Sequence, residues 1–527
     1  MPEQRTSEPQ DESLHADVII VGAGAAGAVL ARRLVEEGKR SVLLLEAGPD
    51  QGEQGEAIPA DIRDGTRNSM TAHDWKYRHR AHPDTGTVFF PRGRVVGGSS
   101  AVNTCIALRG QAYDYDEWGL EGWTWDDCEP SFRRIETDLD FPEGDVHGHD
   151  GPIPIRRHKP DELVPWQQAF LDACADLGFE ECADHNDLST TGYGPHAMNK
   201  INGERMNAAR CYLTKEVRAG LTLRVGRHVS RVLFEGRRAV GVEVLRLRPG
   251  PAAGEAAVLG VERHYARHIV LAGGAVATPG ILLRSGVGPR QELLRLGVDV
   301  VADVPAVGAR LLDHPGIAMF LTARPGVCRT SDPLIQTVLR YSPKVGSYAN
   351  EMQLQPGSFL PLPSGDVEML SIMTSVGKPS GYGRIRFESA DPFCRPHMES
   401  DFLLEPDDLE KACEAMELAW LCASSPAMRD LARIAIPGER MFASRRALRE
   451  WIPYQLGSGY HPSGTVPMGE DGDVRAATDR RGRVKGTENL LVIDASLFPT
   501  VPSANTHFTT LMLGERFGEF FAAGEFD

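Results

Sequence analysis

Four segments at the start of the chain predict a strand, a turn, a helix and a second strand. The continuous apolar run 18–21 is typical of a buried parallel strand, and it leads directly into the glycine-rich segment 22–27. Apolar residues then recur at helical spacing as far as Gly38, and a second apolar run covers 42–45. This order predicts a buried β-α-β unit with glycines at its first turn.

A carboxylate follows this unit at a position that suits nucleotide binding. Glu46 lies 19 residues after Gly27, at the end of the second apolar run. Glycines in the turn allow a pyrophosphate to approach the N-terminus of the helix, and an acid at this distance can accept hydrogen bonds from a ribose. The segment therefore predicts a dinucleotide site, although the motif alone does not distinguish FAD from NAD.

Two further glycine-rich segments carry polar groups at close spacing. Segment 93–103 contains paired glycines followed by paired serines, which supply donors for a phosphate or for the edge of an isoalloxazine ring. Segment 274–289 follows the apolar strand 268–272, and within it Thr278 is predicted to cap a helix that has Pro279 at its first position.

The pattern of the later chain predicts strands followed by helices. Segments 367–374 and 383–388 are predicted as strands, and 407–424 as an amphipathic helix. The apolar face of that helix carries Leu409, Cys413, Met416 and Trp420. Strands followed by helices favour an antiparallel sheet flanked by helices. The apolar spacing after Asn505 predicts one more helix at the end of the chain.

Composition narrows the class of protein. The 527 residues are too many for one typical core and predict two closely packed domains. The net charge of −16 argues against nucleic acid as a partner, and no apolar run approaches the ~20 residues of a membrane span. Nine scattered cysteines without a signal sequence predict a reduced, cytoplasmic protein.

No spacing of ligand residues indicates a metal site. His147 and His149 lie near two aspartates, but in a glycine-rich stretch that is interpreted as a surface loop. No metal is therefore predicted.

Segments 93–116 and 274–288 resemble the two signature patterns of the glucose-methanol-choline (GMC) oxidoreductase family. Together with the N-terminal glycine segment and the segments around His461 and Asn505, the resemblance covers essentially the whole chain in the family's order. It implies FAD as the cofactor. It also implies an α/β fold in which a discontinuous Rossmann-like FAD-binding domain accompanies an α+β substrate domain built on an antiparallel sheet flanked by helices.

The resemblance also implies a domain division. The FAD-binding domain is expected to comprise 11–157, 209–315 and 454–527, and the substrate domain 158–208 and 316–453, with 1–10 as a disordered leader.

His461 and Asn505 are the candidate catalytic pair. Oxidation of an alcohol by flavin removes a hydride from carbon and a proton from oxygen, and histidine suits the second task. The segment His461-Pro462-Ser463-Gly464-Thr465 resembles the family's catalytic histidine segment, which implies that His461 is the base. Counting from Asp494 favours Asn505 over the neighbouring His507 as its partner.

The resemblance implies a larger set of residues that contact FAD. These come from the N-terminal unit, the second glycine segment, the central strand and helix, and the C-terminal segments. They are Gly22, Gly24, Ala25, Ala26, Gly27, Glu46, Ala47, Arg94, Gly97, Gly98, Ser99, Asn103, Thr104, Cys105, Ile106, Val229, Ala272, Gly273, Tyr460, Asp494, Ala495, Asn505, Thr506 and His507.

Three positions suggest the subtype within the family. Val102 stands where members with covalently attached flavin carry a histidine, which predicts dissociable FAD. Thr322 is aligned with the carboxylate of choline-oxidising relatives, which argues against choline. The tail resembles the bacterial 5-hydroxymethylfurfural oxidase branch, which implies aryl or allylic primary alcohols, whereas Gly459 and Tyr460 depart from that branch and are expected to leave more room beside the flavin.

Several alternatives stay open at this point. Electrons are expected to pass to oxygen or to another acceptor, and the oligomeric state is not predicted. Some members of the family bind FAD yet cleave cyanohydrins, and another class decarboxylates fatty acids in light. Candidates for the substrate pocket are Met319, Phe320, Met352 and Gln353.

Overall fold

A computed structural model describes residues 13–52, 58–70, 72–248 and 257–527. The expected leader 1–10 and the first residues of the expected FAD-binding domain lie outside this range. The α-helices are α1 Ala25–Glu37, α2 Ala60–Arg63, α3 Ala112–Asp116, α4 Trp125–Ile135, α5 Pro165–Asp176, α6 Ala208–Tyr212, α7 Lys215–Ala219, α8 Gly274–Arg284, α9 Arg290–Arg295, α10 Pro406–Ser424, α11 Pro426–Arg429, α12 Arg445–Trp451 and α13 Thr506–Ala522.

The strands are β1 His15–Val21, β2 Val42–Leu45, β3 Tyr77–Arg80, β4 Thr87–Phe90, β5 Glu136–Asp138, β6 Ile153–Ile155, β7 Gly192–Pro195, β8 Lys200–Ile201, β9 Glu204–Arg205, β10 Thr222–Arg224, β11 Arg227–Glu235, β12 Arg238–Leu247, β13 Val258–Leu271, β14 Val287–Gly288, β15 Ala302–Asp303, β16 Pro315–Ala323, β17 Thr337–Tyr341, β18 Met352–Gly357, β19 Leu370–Val376, β20 Arg384–Arg386, β21 His397–Glu399, β22 Ala432–Ile436, β23 Leu456–Ser458 and β24 Leu490–Val492.

The first sheet has the order β10-β2-β1-β13-β12-β11, and β24 also pairs with β13. Strands β10, β2, β1, β13 and β24 run parallel, and β12 and β11 join antiparallel. The predicted strand 18–21 is the fully buried half of β1. Gly38 ends α1 in the left-handed conformation, and its N–H donates to the carbonyl of Leu34. The predicted β-α-β unit is confirmed.

The helix of the third glycine segment begins earlier than predicted. Because α8 starts at Gly274, Thr278 and Pro279 lie inside it, and the predicted cap is wrong. The hydroxyl of Thr278 instead donates to Asp494 Oδ2 at 2.6 Å. Pro279 has no N–H to offer the carbonyl of Ala275, and the hydroxyl of Thr465 donates to that oxygen at 2.7 Å. A side chain from the C-terminal segment thus satisfies the acceptor that the internal proline leaves unpaired.

The last helix returns the chain to its start. Helix α13 packs against α1, and Gly514 permits the approach because a Cβ there would meet Val29 Cβ at 2.6 Å. Arg33 on α1 donates to both carboxylate oxygens of the fully buried Glu515 at 2.6 and 2.9 Å. The N-terminal glycine turn and the C-terminal catalytic segments are therefore parts of one packed unit.

The second large sheet is antiparallel throughout. Its order is β22-β16-β19-β18-β17-β7, and β23 also pairs with β16. Helix α10 covers it, and Cys413 and Met416 of the predicted apolar face are fully buried. Ala412, Ala415 and Ala419 are buried beside them, while Leu409 and Trp420 of the predicted face stay partly exposed. The buried face is thus rotated towards small residues, which let the helix lie close to the sheet.

A smaller sheet connects segments far apart in sequence. Its order is β20-β21-β3-β4, so that residues near position 80 pair with residues near position 398. Strand β23 follows position 454, yet it pairs with β16 of the antiparallel sheet. The two expected domains therefore share strands at their junction, and the exact division between them stays a prediction.

The segment around His147 differs from the prediction of a surface loop. His147 is 4% exposed, and its two ring nitrogens lie 2.7 Å from Glu136 Oε1 and from Asp184 Oδ2. These partners raise its pKa to about 9 against the opposing effect of burial. Glu136, Asp138 and His147 converge as metal ligands could, but Arg109 and Arg157 already form ion pairs with the two carboxylates. The cluster is a buried network of ion pairs, whereas His149 beside it is exposed.

Among the helices of the described residues, none combines the length and the hydropathy that a membrane span requires.

Candidate active site

A large cavity opens where the parallel strands of the first sheet end. Its volume is about 2200 Å³ with the open space at its mouth included. Gly22 follows β1, Glu46 follows β2, Ala272 follows β13 and Asp494 follows β24, and all four residues line it. The carboxyl ends of parallel strands are the usual place for a ligand in such sheets, because the loops there diverge and leave a crevice.

Glycines bring three backbone segments together at one side of the cavity. A Cβ on Gly22 would meet the carbonyl oxygen of Ala272 at 2.4 Å, and its φ of 108° also requires glycine. A Cβ on Gly98 would meet Gly24 Cα at 2.8 Å. The open N-terminus of α1 therefore faces the cavity without side chains in the way, as binding of a pyrophosphate requires.

Glu46 has the position that the motif predicts. Its carboxylate accepts the backbone N–H of Ala23 at 3.1 Å and that of Gly48 at 2.8 Å, while the side chain lines the cavity. Burial raises its pKa, and these N–H donors and the Arg94 guanidinium act in the opposite direction. The carboxylate is thus held in a fixed orientation, and each oxygen keeps capacity for a further hydrogen bond.

Most of the residues expected to contact the cofactor line this cavity. They are Gly22, Gly24, Ala25, Ala26, Glu46, Ala47, Gly98, Ser99, Asn103, Thr104, Ile106, Val229, Ala272, Gly273, Tyr460, Asp494, Ala495, Asn505, Thr506 and His507. Four others do not line it. Gly27 lies behind the turn, Gly97 packs near Gln51, Arg94 donates to the carbonyl of Ala47, and Cys105 is fully buried.

His461 lies in the wall of the cavity, positioned by residues far away in sequence. Its backbone N–H donates to Asp313 Oδ1 at 2.8 Å. Tyr460 precedes it with a φ of 62°, and the carbonyl of Tyr460 accepts a hydrogen bond from Arg92 at 2.6 Å. The backbone is therefore turned and held on both sides of the candidate base.

Two neighbours contact the imidazole ring of His461. Its Nε2 lies 3.0 Å from Asn505 Nδ2, and its Nδ1 lies 2.8 Å from His314 Nδ1. Asn505 directly precedes α13 and lies at the positive end of that helix, and its side chain makes no capping hydrogen bond. His507 makes no hydrogen bond to His461 among the described residues, although it also lines the cavity. The geometry thus places Asn505, and not His507, beside the candidate base.

His314 determines which nitrogen of His461 carries the proton. The Nε2 of His314 lies 2.9 Å from the carbonyl oxygen of Pro502, which can only accept, so this nitrogen is protonated. Burial lowers the pKa of His314 to about 4, so the ring is neutral and its Nδ1 is an acceptor. His461 must then donate from Nδ1, which leaves the lone pair of its Nε2 directed at Asn505 and the cavity.

Burial keeps His461 neutral. Burial lowers its pKa well below the ordinary 6.5, and the neighbouring His314 and Arg92 lower it further. Asp313 is also fully buried, and burial raises its pKa to about 6 although the hydroxyl of Ser458 and two backbone N–H groups bind it. A neutral imidazole with a free lone pair is the form that can accept a proton from a hydroxyl group.

The sequence did not single out His314, Asp313 or Arg92 as functional residues. His314 lies 147 positions before His461, and Asp313 lies 148 positions before it. The consecutive Asp313 and His314 before β16 are a signal that could have been noticed, because two polar residues at the start of a buried strand require partners.

Gly459 has less space than expected. A Cβ at this position would lie 2.8 Å from His461 Nδ1 and 3.2 Å from His314 Cβ. The room that the glycine leaves is therefore occupied by the histidine pair, and the expectation of extra space beside a flavin is wrong. Gly459 instead allows the two imidazole rings to approach one another.

The candidates for the substrate pocket need correction. Met319 and Met352 are fully buried in the core of the antiparallel sheet, and neither they nor Phe320 and Gln353 line the large cavity. Gln353 is connected to the site through the backbone. Its amide donates to the carbonyl of Ser503 at 3.2 Å, and Ser503 lies two residues before Asn505.

Thr322 does not contact a substrate at His461. It is exposed and pairs with Arg433 on β22, eight residues along the strand from His314. That separation is roughly 26 Å in an extended strand. The alignment of Thr322 with a carboxylate that binds choline is therefore wrong. Residue 322 gives no evidence for or against choline as the substrate.

The residues present fit an FAD molecule. The glycine contacts leave the N-terminus of α1 accessible, Glu46 lies beyond it, and the N-terminus of α13 faces the same cavity from the opposite end of the chain. Asn505 Oδ1 and His507 Nε2 are buried and have no hydrogen-bond partner among the described residues. Two unpaired polar atoms on the cavity wall are what a polar cofactor edge or a substrate would satisfy.

Comparison with known proteins finds relatives that match most of the chain. Two models described as GMC oxidoreductase match residues 16–316 and 379–514. A 5-(hydroxymethyl)furfural oxidase of a Methylovorus species is 34% identical over 95% of this chain and 98% of its own length. An oxygen-dependent choline dehydrogenase of Photobacterium profundum is 31% identical over 95% and 92%, respectively. The crystal structure of pyridoxine 4-oxidase from Mesorbium loti superposes with a TM-score of 0.85 at 29% identity, covering 96% of this chain and 99% of that one.

Proposed function

Because this chain belongs to the GMC oxidoreductase family, we propose that His461 and Asn505 are the pair of residues at which it oxidises an alcohol. The chain is an FAD-dependent oxidoreductase that acts on CH–OH groups. The proposal for the pair rests on two contacts of the His461 ring. Nδ1 lies against His314, which leaves the lone pair of Nε2 directed at Asn505 and into the cavity that fits FAD.

The residues that would hold FAD come from both ends of the chain. The turn 22–27 and the N-terminus of α1 would receive the pyrophosphate, and Glu46 would accept from the ribose. Residues 98–106 and the N-terminus of α13 would border the ring system. When bound, FAD supplies the acceptor for the hydride that leaves the substrate carbon.

The chain's own residues handle the proton. We infer that the substrate hydroxyl donates to His461 Nε2, in the place that the Asn505 amide now occupies at 3.0 Å. Asn505 Nδ2 then donates to the substrate oxygen and stabilises the charge that develops as the proton leaves. His314 keeps the proton on His461 Nδ1 throughout, and Asp313 holds the backbone of the base in position.

The charges of the cavity wall favour an uncharged alcohol as the substrate. Glu46 and Asp494 are the carboxylates among the described lining residues, and backbone and hydroxyl donors already bind both of them. Arg92 places a guanidinium near His461, which disfavours a cationic substrate such as choline. Aryl or allylic primary alcohols therefore remain the proposed class, as the likeness to the furfural oxidase suggests.

No observation favours the other chemistries that the sequence left open. The relatives reported above are named as oxidases and a dehydrogenase, and nothing in the described residues supports a cyanohydrin lyase or a light-driven decarboxylase. The electron acceptor and a cytoplasmic location stay predictions.

The test uses the holoenzyme and a panel of alcohols under anaerobic conditions. A benzylic, an allylic, a saturated primary alcohol and choline are mixed with the protein, and the visible absorbance of the oxidised flavin is followed. We expect the benzylic and allylic alcohols to bleach the flavin fastest, and admission of air or of a dye then reports the acceptor. Turnover of a cyanohydrin with permanently oxidised flavin would contradict the proposed function, whereas rapid bleaching by choline would contradict only the proposed substrate class.

A further inference from the structure

A second cavity lies outside the site described above. Its volume is about 720 Å³ with the space at its mouth included. The lining residues are Thr66, Arg156, His158, Glu162, Met198, Lys200, Asn202, Gly203 and Pro333. Three of these residues carry basic side chains and one carries a carboxylate, so the wall has an excess of hydrogen-bond donors.

Lys200 supplies the most unusual of these donors. It lies on β8 and is 5% exposed, and its ammonium group has no hydrogen-bond partner in the described parts of the chain. Burial lowers the pKa of Lys200, and the neighbouring Arg156 and Arg205 act in the same direction. A buried ammonium group without a partner is unfavourable, and an anion in the cavity would supply the partner that is missing.

His158 supplies a second free donor, and its tautomer follows from its neighbours. The amide of Gln336 is oriented by two backbone contacts, since Oε1 accepts from the N–H of Val164 at 2.9 Å and Nε2 donates to the carbonyl of Glu162 at 2.8 Å. The same Nε2 lies 3.0 Å from His158 Nδ1, which must therefore be an acceptor. The proton of the neutral ring is then on Nε2, which is buried and has no partner among the described residues.

The carboxylate in the wall is already neutralised. Arg156 Nη2 donates to Glu162 Oε2 at 2.6 Å, and the backbone N–H of Lys159 donates to the same oxygen at 2.8 Å. Asp64, which lies near Lys200, is paired with the guanidinium of Arg67 at 3.3 Å and also accepts from the N–H and the hydroxyl of Thr66. The cavity therefore keeps a net positive charge from Lys200.

The cavity lies directly behind the wall of the cofactor site. Met198 lines the second cavity, and it forms a β-bridge with Ile106, which lines the first. A turn at Asn202 and Gly203, both with positive φ, closes the β8–β9 hairpin and completes the second cavity. The two cavities are thus separate sites that share one segment of chain.

We propose that this second cavity binds a small anion through its phosphate or carboxylate group, held by Lys200 Nζ, His158 Nε2 and Arg156. Both groups offer acceptor oxygens to the three donors, and both would pair with the ammonium group. The proposal is independent of the alcohol oxidised at His461.

The test measures binding to the holoenzyme, whose FAD occupies the first cavity and keeps free phosphate out of it. Inorganic phosphate and malonate are titrated separately by calorimetry, with chloride keeping the ionic strength constant. We expect one saturable site, and the tighter of the two anions identifies the chemistry of the ligand. Lys200→Met should weaken binding by roughly 10- to 100-fold, because a hydrogen bond to a charged group contributes about 1.5–3 kcal/mol.

Lys39→Met is the matched control, since the Lys39 side chain is 65% exposed and lies on the surface. It should bind both anions as the parent does. Arg156→Gln provides a second variant if the Lys200 variant fails to fold, because the Arg156 side chain is partly exposed and can be replaced without opening the core. Absence of saturable binding of either anion at concentrations on the order of 10 mM, or unchanged affinity after Lys200→Met, overturns the proposal.

Discussion

Replacing His461 with alanine tests the role of the candidate base. The substitution removes the lone pair 3.0 Å from Asn505 Nδ2 and leaves a space the size of an imidazole ring beside His314. Because His461 contacts the protein through its ring nitrogens and its backbone N–H, the backbone bond to Asp313 is kept and the fold should persist. We therefore expect FAD to remain bound.

The expected loss is large and confined to the chemical step. General-base catalysis contributes typically 10²–10⁴-fold, which corresponds to about 3–5 kcal/mol of barrier. Anaerobic stopped-flow measurement of flavin reduction by a benzylic alcohol reports this step directly. Added imidazole should restore part of the rate, because it can occupy the space left by the ring. The parent enzyme should keep its rate from neutral pH down to the lowered pKa of His461, since only the neutral ring accepts a proton.

His507→Ala is the matched control. His507 is a histidine of the same cavity wall, with a pKa lowered to about 4 by burial, but its Nε2 has no hydrogen-bond partner in the described part of the chain. We expect its replacement to change flavin reduction by less than about tenfold, with no response to imidazole. A His461→Ala variant that reduces bound flavin within tenfold of the parent rate, or a His507→Ala variant that loses as much as His461→Ala, would refute the assignment.

Three further predictions follow from particular contacts. His314→Phe removes the acceptor that keeps the proton on His461 Nδ1, so flavin reduction should slow although FAD stays bound, whereas His314→Gln offers an amide oxygen in its place and should keep part of the rate; an unchanged rate in His314→Phe would remove His314 from its positioning role. The pKa of His147 is about 9 when folded and ordinarily 6.5, so its contribution to stability is complete below pH 6.5 and is lost as pH rises through 9. The fall in Tm between these pH values should therefore be smaller in His147→Gln than in the parent or in the control His149→Gln, and an equal fall in all three would contradict it. The family resemblance aligns Val102 with the histidine of members that bind flavin covalently, so we expect acid precipitation to release all the yellow colour into solution, and colour retained in the pellet would show the prediction to be wrong.

The candidate site was predictable wherever its signal was local. The turn 22–27, Glu46 and α1 follow from residues that are close in sequence, because glycine conformation and apolar spacing act over a few positions. The segment around His461 was recognised through its resemblance to the catalytic histidine segment of the family, which is also a local pattern. Prediction failed where a residue distant in sequence changed the outcome. Pro279 lies inside α8 and does not begin it, because the hydroxyl of Thr465 donates to the Ala275 carbonyl that Pro279 leaves without an N–H.

The sequence by itself thus determined the kind of cofactor, the order of the elements around it, and the two side chains proposed for the chemistry. Only the tertiary structure decided the protonation pattern of the base, because the carbonyl of Pro502 fixes the proton of His314, and His314 in turn fixes that of His461. The same holds for the buried ion pairs of His147 and the unpaired ammonium group of Lys200. A histidine or lysine acquires its function from the groups packed around it, and sheets assemble those groups from positions far apart in the chain.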